Sequence, residues 1–471
     1  MSMLSACSIT KPVIPDSVKP PAGYVLTDST LSRGADTGNI ATISWQQFFS
    51  DQKLNGLIEL AINHNPDLLM TIQRIEKANA MLMARKGAFF PRVDGVAAAG
   101  VEKYGDYTLN GVGNFDTNLS PNLGKDQRIP NPTPEFLLGL RSSWEIDLWG
   151  ELKNRKKAAH ARYLKEQHSA RFLETLLVSE VAKRYYDLTS LDNERSIIQK
   201  NIALQETALE IVKVQKEAGR ATELAVQQFN AQLLFTRAAA YRVKQETVSV
   251  EMELNNLLGR FPAAVSRDSL RPLTAASQQF GAGLPSQLLL RRPDIRAAEM
   301  ELVAAKADVT AARAAFYPSL TINPFVGLNA FSASMLFSGA SLAYGVAGGL
   351  TAPIFNQRKI KAAYKISIAE NREAYQDYRK KVINAYSEVI THLNAIGNLT
   401  KAFNFKEQEV AALQNAVGTS RDLYLGGRAS YLEIISAQKV LLEAEIELNH
   451  IQREQYQNRI ALYRSLGGGW N

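Results

Sequence analysis

The sequence predicts a mainly α-helical chain that carries part of a membrane β-barrel and is built as an internal tandem duplication. Three observations lead there. The first is repetition: Asn65-Pro66-Asp67-Leu68 recurs as Arg292-Pro293-Asp294-Ile295, and the helical runs that follow end at Phe89-Phe90-Pro91 and Phe316-Tyr317-Pro318. The spacing of the prolines is the same in both copies (91 − 66 = 25; 318 − 293 = 25), and Gly219 to Gly259 matches Gly427 to Gly467 (40 residues each). Units of about 200 residues are too long for a solenoid repeat. The second observation is a helical run, Glu151 to about Lys216, that contains neither Pro nor Gly. The third is a set of strand-length stretches in which apolar and polar residues alternate.

In chain order, residues 1–53 read as a Pro-, Ser- and Thr-rich tether, and 54–87 as helix. A strand-like stretch follows Pro91, and Tyr104 to Pro134, crowded with Gly, Asn, Asp and Pro, reads as a long surface loop. Glu135–Leu148 is the clearest strand: Phe136, Leu138, Leu140, Trp144, Ile146 and Leu148 share one face, while Gly139, Arg141, Ser143, Glu145 and Asp147 share the other. The run from Glu151 would span about 100 Å as one helix. A return helix over 221–257 carries a heptad-like seam at Leu224, Ala231, Leu234, Ala238 and Tyr241. Residues 261–285 link the copies. In the second copy (286–471) the strand pair, about 318–354, sets Leu320, Ile322, Val326, Leu328, Leu342, Tyr344, Val346 and Leu350 against Ser, Thr, Asn, Gly and Ala, with Pro324 as an irregularity. The last helix repeats the seam at Ile434, Ala437, Leu441, Ala444, Leu448 and Ile451.

Composition narrows the function. The net charge is +8, but Lys and Arg interleave with Glu along helices, as in Lys361–Lys381, which is the pattern of a solvated face and not of a nucleic-acid surface. No window of 18 or more apolar residues marks a membrane-spanning helix. His64, His160, His168, His392 and His450 show no metal-ligand spacing, the eight Met residues do not cluster, and no phosphate loop or nucleophile elbow appears. The expectation is therefore a protein that is not an enzyme and holds no cofactor or metal. The single cysteine sits in Leu4-Ser5-Ala6-Cys7, the form of a bacterial lipoprotein processing site, although only six residues precede it.

Each copy supplies one strand pair, so the chain has four strands. Four cannot close a barrel, and an open sheet in lipid would leave unpaired backbone groups at several kcal/mol each. The barrel must be shared among chains; three would give twelve strands (3 × 4) and a water-filled lumen lined by small polar residues.

Beyond these patterns, the chain resembles the TolC-like outer-membrane factors, in particular the lipoprotein branch serving tripartite efflux pumps of the resistance-nodulation-division type. The residues that carry the resemblance are Leu284-Pro285-Ser286, Leu289 to Ile295 with Arg291-Arg292-Pro293-Asp294, Phe316 to Leu320, Glu145 to Gly150, and Tyr424 through Gln438. The resemblance implies a homotrimer: long antiparallel coiled-coil helices forming a trimeric α-barrel, and a shared 12-stranded β-barrel in the outer membrane (3 × 4 strands). It implies a passive, gated duct for small toxic compounds, working with a periplasmic adaptor (membrane fusion) protein and an inner-membrane transporter. It makes Cys7 the acylated anchor in outer-membrane lipid and places the turns at Gly219, Arg220, Gly426 and Gly427 at the periplasmic tip, where the adaptor binds. By position, Leu432 and Glu433 border the constriction, with Tyr424 and Arg428 in the restraint network around it. Where such proteins often have Asp, this chain has Ser436 and Ala225, so Glu433 or Glu223 would supply the charge. Two other readings remain: a type I secretion duct for proteins, and a lipid-anchored periplasmic coiled-coil rod that needs no alternating strands.

Overall fold

A residue before proline is pushed out of the helical region, and both copies use this to end a helix. In the computed structural model, which describes Pro20, Pro21, Gly23, Tyr24 and residues 42–269 and 285–470, Asn65 and Arg292 are extended (φ −63°, ψ 121°; φ −75°, ψ 117°). The helix predicted over 54–87 is therefore two, α2 (Gln52–His64) and α3 (Pro66–Gly87), preceded by α1 (Trp45–Phe48). In the second copy α7 (Leu288–Arg291) stops at Arg292 and α8 (Pro293–Ala314) begins at Pro293. Cys7 and residues 270–284 of the linker lie outside the described residues.

The other elements are β1 (Arg92–Glu102), α4 (Leu109–Asn118), β2 (Thr133–Ile146), α5 (Glu151–Glu217), α6 (Glu223–Leu257), β3 (Ser319–Ala330), β4 (Leu342–Thr351), α9 (Lys359–Leu425) and α10 (Tyr431–Ser465). The stretch expected as an unbroken loop holds α4, whose N-cap Thr108 accepts from the Gly111 amide at 3.1 Å. Among the described residues no helix is long and apolar enough to cross a membrane.

Two compact units are formed. One comprises the described residues of Met1–Glu76, Leu164–Met300 and Tyr375–Asn471; the other comprises Lys77–Tyr163 and Glu301–Ala374. The first has its main core around Leu54, Ile58, Tyr185, Leu188, Leu254, Ile295, Val389 and Tyr463. There the two copies make the same contact by different chemistry. The Asn65 amide donates to the Leu257 carbonyl at 2.9 Å, and the Arg292 guanidinium donates to the Ser465 carbonyl at 3.1 Å, each satisfying the end of a return helix.

The second unit holds one antiparallel sheet in the order β1-β2-β3-β4. Pro324 lies inside β3, opposite Val346, as the alternation required.

The α6 seam differs from expectation. Leu224, Leu234 and Tyr241 are exposed, and the buried stripe is Ala225, Phe229, Leu233, Thr236, Val243, Val250 and Leu254. α6 thus has two apolar stripes on opposite sides, and one chain can cover only one of them. In α10 the predicted seam faces inward, with Ile434, Leu441, Ala444 and Ile451 buried.

Candidate functional site

The sheet separates its residues by face as the alternation demands. Strand register places Gly95, Leu140, Val326 and Tyr344 side by side, then Ala97, Leu138, Leu328 and Leu342, then Ile146, Leu320 and Leu350. This apolar face is uncovered: Tyr344 is 78% and Val346 76% exposed, with Val93, Leu140, Leu342 and Leu350 also exposed. A contiguous apolar surface of this kind marks a membrane or partner contact. The opposite face carries Asp94, Glu135, Arg141, Asn323 and Asn329 around a cavity of about 590 Å3. β1 and β4 each pair on one side only, leaving two open edges. Near the helix-facing end of the sheet, the Trp144 indole donates to the Phe89 carbonyl (3.0 Å) and the Trp149 indole to the Pro318 carbonyl (2.7 Å), while Trp149 stacks on Tyr317 (4.9 Å). Aromatic rings with one satisfied polar tip suit a membrane–water boundary.

In the other unit the helical hairpins turn at glycine. Gly219 (φ 72°) and Gly427 (φ 73°) adopt the left-handed conformation, and the Arg220 and Arg428 amides reach back to the Gln215 and Leu423 carbonyls (2.8 and 2.9 Å). Such a helix-ending motif needs a residue without Cβ strain, which explains why the same spacing recurs. The turns pack through Leu209, Val212, Ala225, Phe229, Leu233 and Ile434, with Tyr424 and Tyr431 against them.

The predicted residues fall into four groups here. Tyr424 is tied to the other hairpin, since its hydroxyl donates to the Gln215 side-chain carbonyl; burial raises its pKa, which keeps that proton in place. Glu223 pairs with Lys216 and accepts from the Gln227 amide (2.6 Å), and the hydrogen bond from Lys216 holds its carboxyl below the usual carboxylate range. Glu433 is turned back on its own helix, accepting from the Ser430 amide at 3.3 Å as a helix-start partner. Leu432, Arg428, Ser436, Arg220, Gly426 and both turn glycines are exposed. Arg428 and Glu433 are not brought together.

The sequence patterns do not single out Gln215 or Lys216, and they mark Leu224 only as part of the α6 seam. The repeat offset of 208 (427 − 219) sets Leu224 (61% exposed) opposite Leu432 (51% exposed), so duplication alone could have found it. The Tyr424–Gln215 link joins residues 209 positions apart and leaves no local signal.

Along the same unit α5 and α10 meet through polar groups. Asn449 donates to the Ser190 carbonyl (3.0 Å), the Asn201 amide to Glu445 (3.2 Å) and the Gln457 amide to Asp187 (2.6 Å). His450 Nε2 lies 3.2 Å from Glu194, and this hydrogen bond raises the histidine pKa. Its stabilisation is complete below the ordinary histidine value of about 6.5 and is lost as pH rises through the higher folded value. Melting curves across that window should show His450→Gln losing this part of the pH dependence; an unchanged dependence would assign it to another group.

Residues 57–260 and 284–468, one block in each copy, match the model of the outer membrane efflux protein family. The chain belongs to this family. It is 28% identical over 467 residues to the cation efflux system protein CusC of Escherichia coli O6:H1, covering 99% of this chain and 96% of that one. It is also 28% identical over 459 residues to the probable outer membrane lipoprotein SilC of Salmonella typhimurium (97% and 95%). Among solved structures, the outer-membrane channel OprN matches with a TM-score of 0.85 at 27% identity, over 98% of this chain and 100% of that one. The chain is therefore the outer-membrane channel of an efflux system.

Proposed function

We propose that three copies of this chain close one twelve-stranded β-barrel (3 × 4) by pairing the open edge of β1 with β4 of the next copy. The observation that carries this reading is a sheet with two open edges and one uncovered apolar face, which no single chain can make stable in lipid. The second apolar stripe of α6, at Leu224, Leu234 and Tyr241, supplies a matching contact between neighbouring copies in the helical part. The assembly is a passive duct of a tripartite efflux pump, working with a periplasmic adaptor and an inner-membrane transporter. The Gly219 and Gly427 turns meet the adaptor, and several acyl chains on Cys7 add a stable anchor that is auxiliary because the barrel itself inserts in the membrane. CusC's name specifies cations and SilC's specifies none, so the cargo is left to the inner-membrane partner.

The constriction is the turn end of the hairpins, where Leu224 and Leu432 supply apolar side chains and Glu223 and Glu433 supply charge. Three copies of each around an axis form rings. The Tyr424–Gln215 hydrogen bond holds the hairpins of one copy together and restrains opening. Planar-bilayer recording of the purified protein tests this. Wild type should give discrete channels, and Tyr424→Phe combined with Glu433→Ala and Arg428→Ala should raise single-channel conductance severalfold. Unchanged conductance in the combined variant would remove these residues from the gate, and absence of any channel would remove the duct.

A further inference from the structure

The helix ends beside the sheet hold a charge separation that the duct itself does not require. In the unit containing the sheet, the helical segments 77–90, 151–163, 301–317 and 358–374 carry 15 Lys and Arg against 5 Asp and Glu. Their net +10 (15 − 5) exceeds the +8 of the whole chain. Three of the five carboxylates, Glu151, Glu301 and Asp308, pair with Arg155 and Arg162 on one side. A cavity of about 660 Å3 between α3, α5, α8 and α9 takes Asp308 with Arg85, Arg155, Arg162 and Lys359, and there Arg162 pairs with Asp308 (2.6 Å) and Arg155 with Glu151 (2.5 Å).

The cations on the far side are different. Lys86, Lys153, Lys157, Arg313, Lys361 and Lys365 sit more than about 120° of helix rotation from the mean direction of the cavity-lining positions on their own helices, and Arg358 stands just before α9 in a left-handed backbone conformation (φ 65°). All seven are exposed, and none makes an ion pair among the described residues. Lys156, at the flank, rests its ammonium 5.4 Å from the Phe89 ring, whose carbonyl is held by Trp144 of the apolar sheet face. That contact ties the cationic side to the lipid-facing side. The nearby Asp147 is occupied in capping α5, accepting from the Leu152 and Lys153 amides (3.1 and 2.8 Å). All eight cations lie within two helical turns of the sheet-facing helix ends, about 11 Å, directly below the exposed Trp149, Ile354 and Phe355.

We propose that this collar is a binding surface for acidic phospholipid headgroups of the membrane leaflet on the helical side of the barrel. The proposal rests on the outer-membrane barrel reading. A membrane surface is a two-dimensional array of phosphates at the height where the apolar band ends, so a ring of unpaired cations there meets it without rearrangement. A trimer would present 24 such charges (3 × 8). Beyond the collar α9 keeps the solvated-face pattern, where Lys381 pairs with Asp377 (3.1 Å).

The test is spin-label spectroscopy of the full chain reconstituted in phosphatidylcholine vesicles containing a trace of labelled phosphatidylglycerol or labelled phosphatidylcholine. At low salt wild type should immobilise the phosphatidylglycerol label at least about fivefold more than the other, and the preference should fade near 0.5 M salt, where the screening length is roughly 4 Å. Lys153→Gln, Lys157→Gln, Lys361→Gln and Lys365→Gln together, which remove half of the collar's charge, should at least halve the preference, whereas the four Lys→Arg changes should keep it. Equal immobilisation by wild type, or an undiminished preference in the Gln variant, overturns the proposal. Conductance of the same preparation separates the two readings: channels without lipid preference reject the collar alone, and failure to insert rejects both.

Discussion

Arg292→Ala should destabilise the helical unit by about 3–5 kcal/mol, the cost of breaking a buried ion pair by removing one partner. Arg292 is only 5% exposed and sits where α7 ends and α8 begins. Its fork meets Asp294 twice (Nε–Oδ1 3.0 Å, Nη2–Oδ2 2.7 Å), and its other arm reaches Glu388 (2.7 Å) and the Ser465 carbonyl (3.1 Å). One side chain thereby joins the proline break of the second copy to α9 and to the end of α10. Truncation leaves the Asp294 carboxylate with only the Ile295 amide (2.9 Å) and strands the Ser465 carbonyl, while Glu388 keeps Arg464 at 3.8 Å. Arg292→Lys retains the charge but cannot bridge three acceptors in one plane, so it should fall between. Thermal unfolding followed by helical circular dichroism checks the order wild type, Lys, Ala. An Ala variant as stable as wild type would make this network incidental.

Gly139→Val should abolish assembly while leaving the helical unit folded. Gly139 and Gly327 face each other across β2 and β3. A Cβ on Gly139 would stand 2.6 Å from the Val326 carbonyl oxygen and 2.7 Å from the Gly327 Cα, and one on Gly327 would stand 2.7 Å from the Leu138 oxygen. These are backbone atoms, so no side-chain rotation relieves the clash, and the strands must part. Slipping the register by one residue would turn the apolar band inward. Oligomers on gels of unheated samples and channels in bilayers should both disappear. Leu138→Val, the neighbouring position on the other face, keeps an apolar residue in the strand and should retain both.

What the sequence disclosed follows from how local each cause is. The hairpin turns were legible because Gly219 and Gly427 supply a left-handed backbone that other residues resist, and because the same spacing occurs twice. The strand faces were legible because period 2 survives along each strand, even through Pro324. The helix break at Asn65 was written in Pro66 and passed over as one continuous helix. The α6 seam was misplaced for a different reason: the helix has two apolar stripes, and periodicity cannot say which one its own chain covers. Glu433 at the constriction and Arg428 in the network around it rest on resemblance alone, and in the structure Glu433 caps its own helix while the hairpins are joined by Tyr424 and Gln215. The collar was hidden by averaging, because its charge separates by helix face and not along the chain.

The protein mass of the detergent-solubilised complex, by light scattering corrected for bound detergent, tests the shared barrel most directly. Three chains of 52.0 kDa give 156 kDa (3 × 52.0), and that mass, collapsing to 52.0 kDa on heating, is the expected result. A monodisperse species of 52.0 kDa before heating would contradict it, since four strands alone cannot close around water.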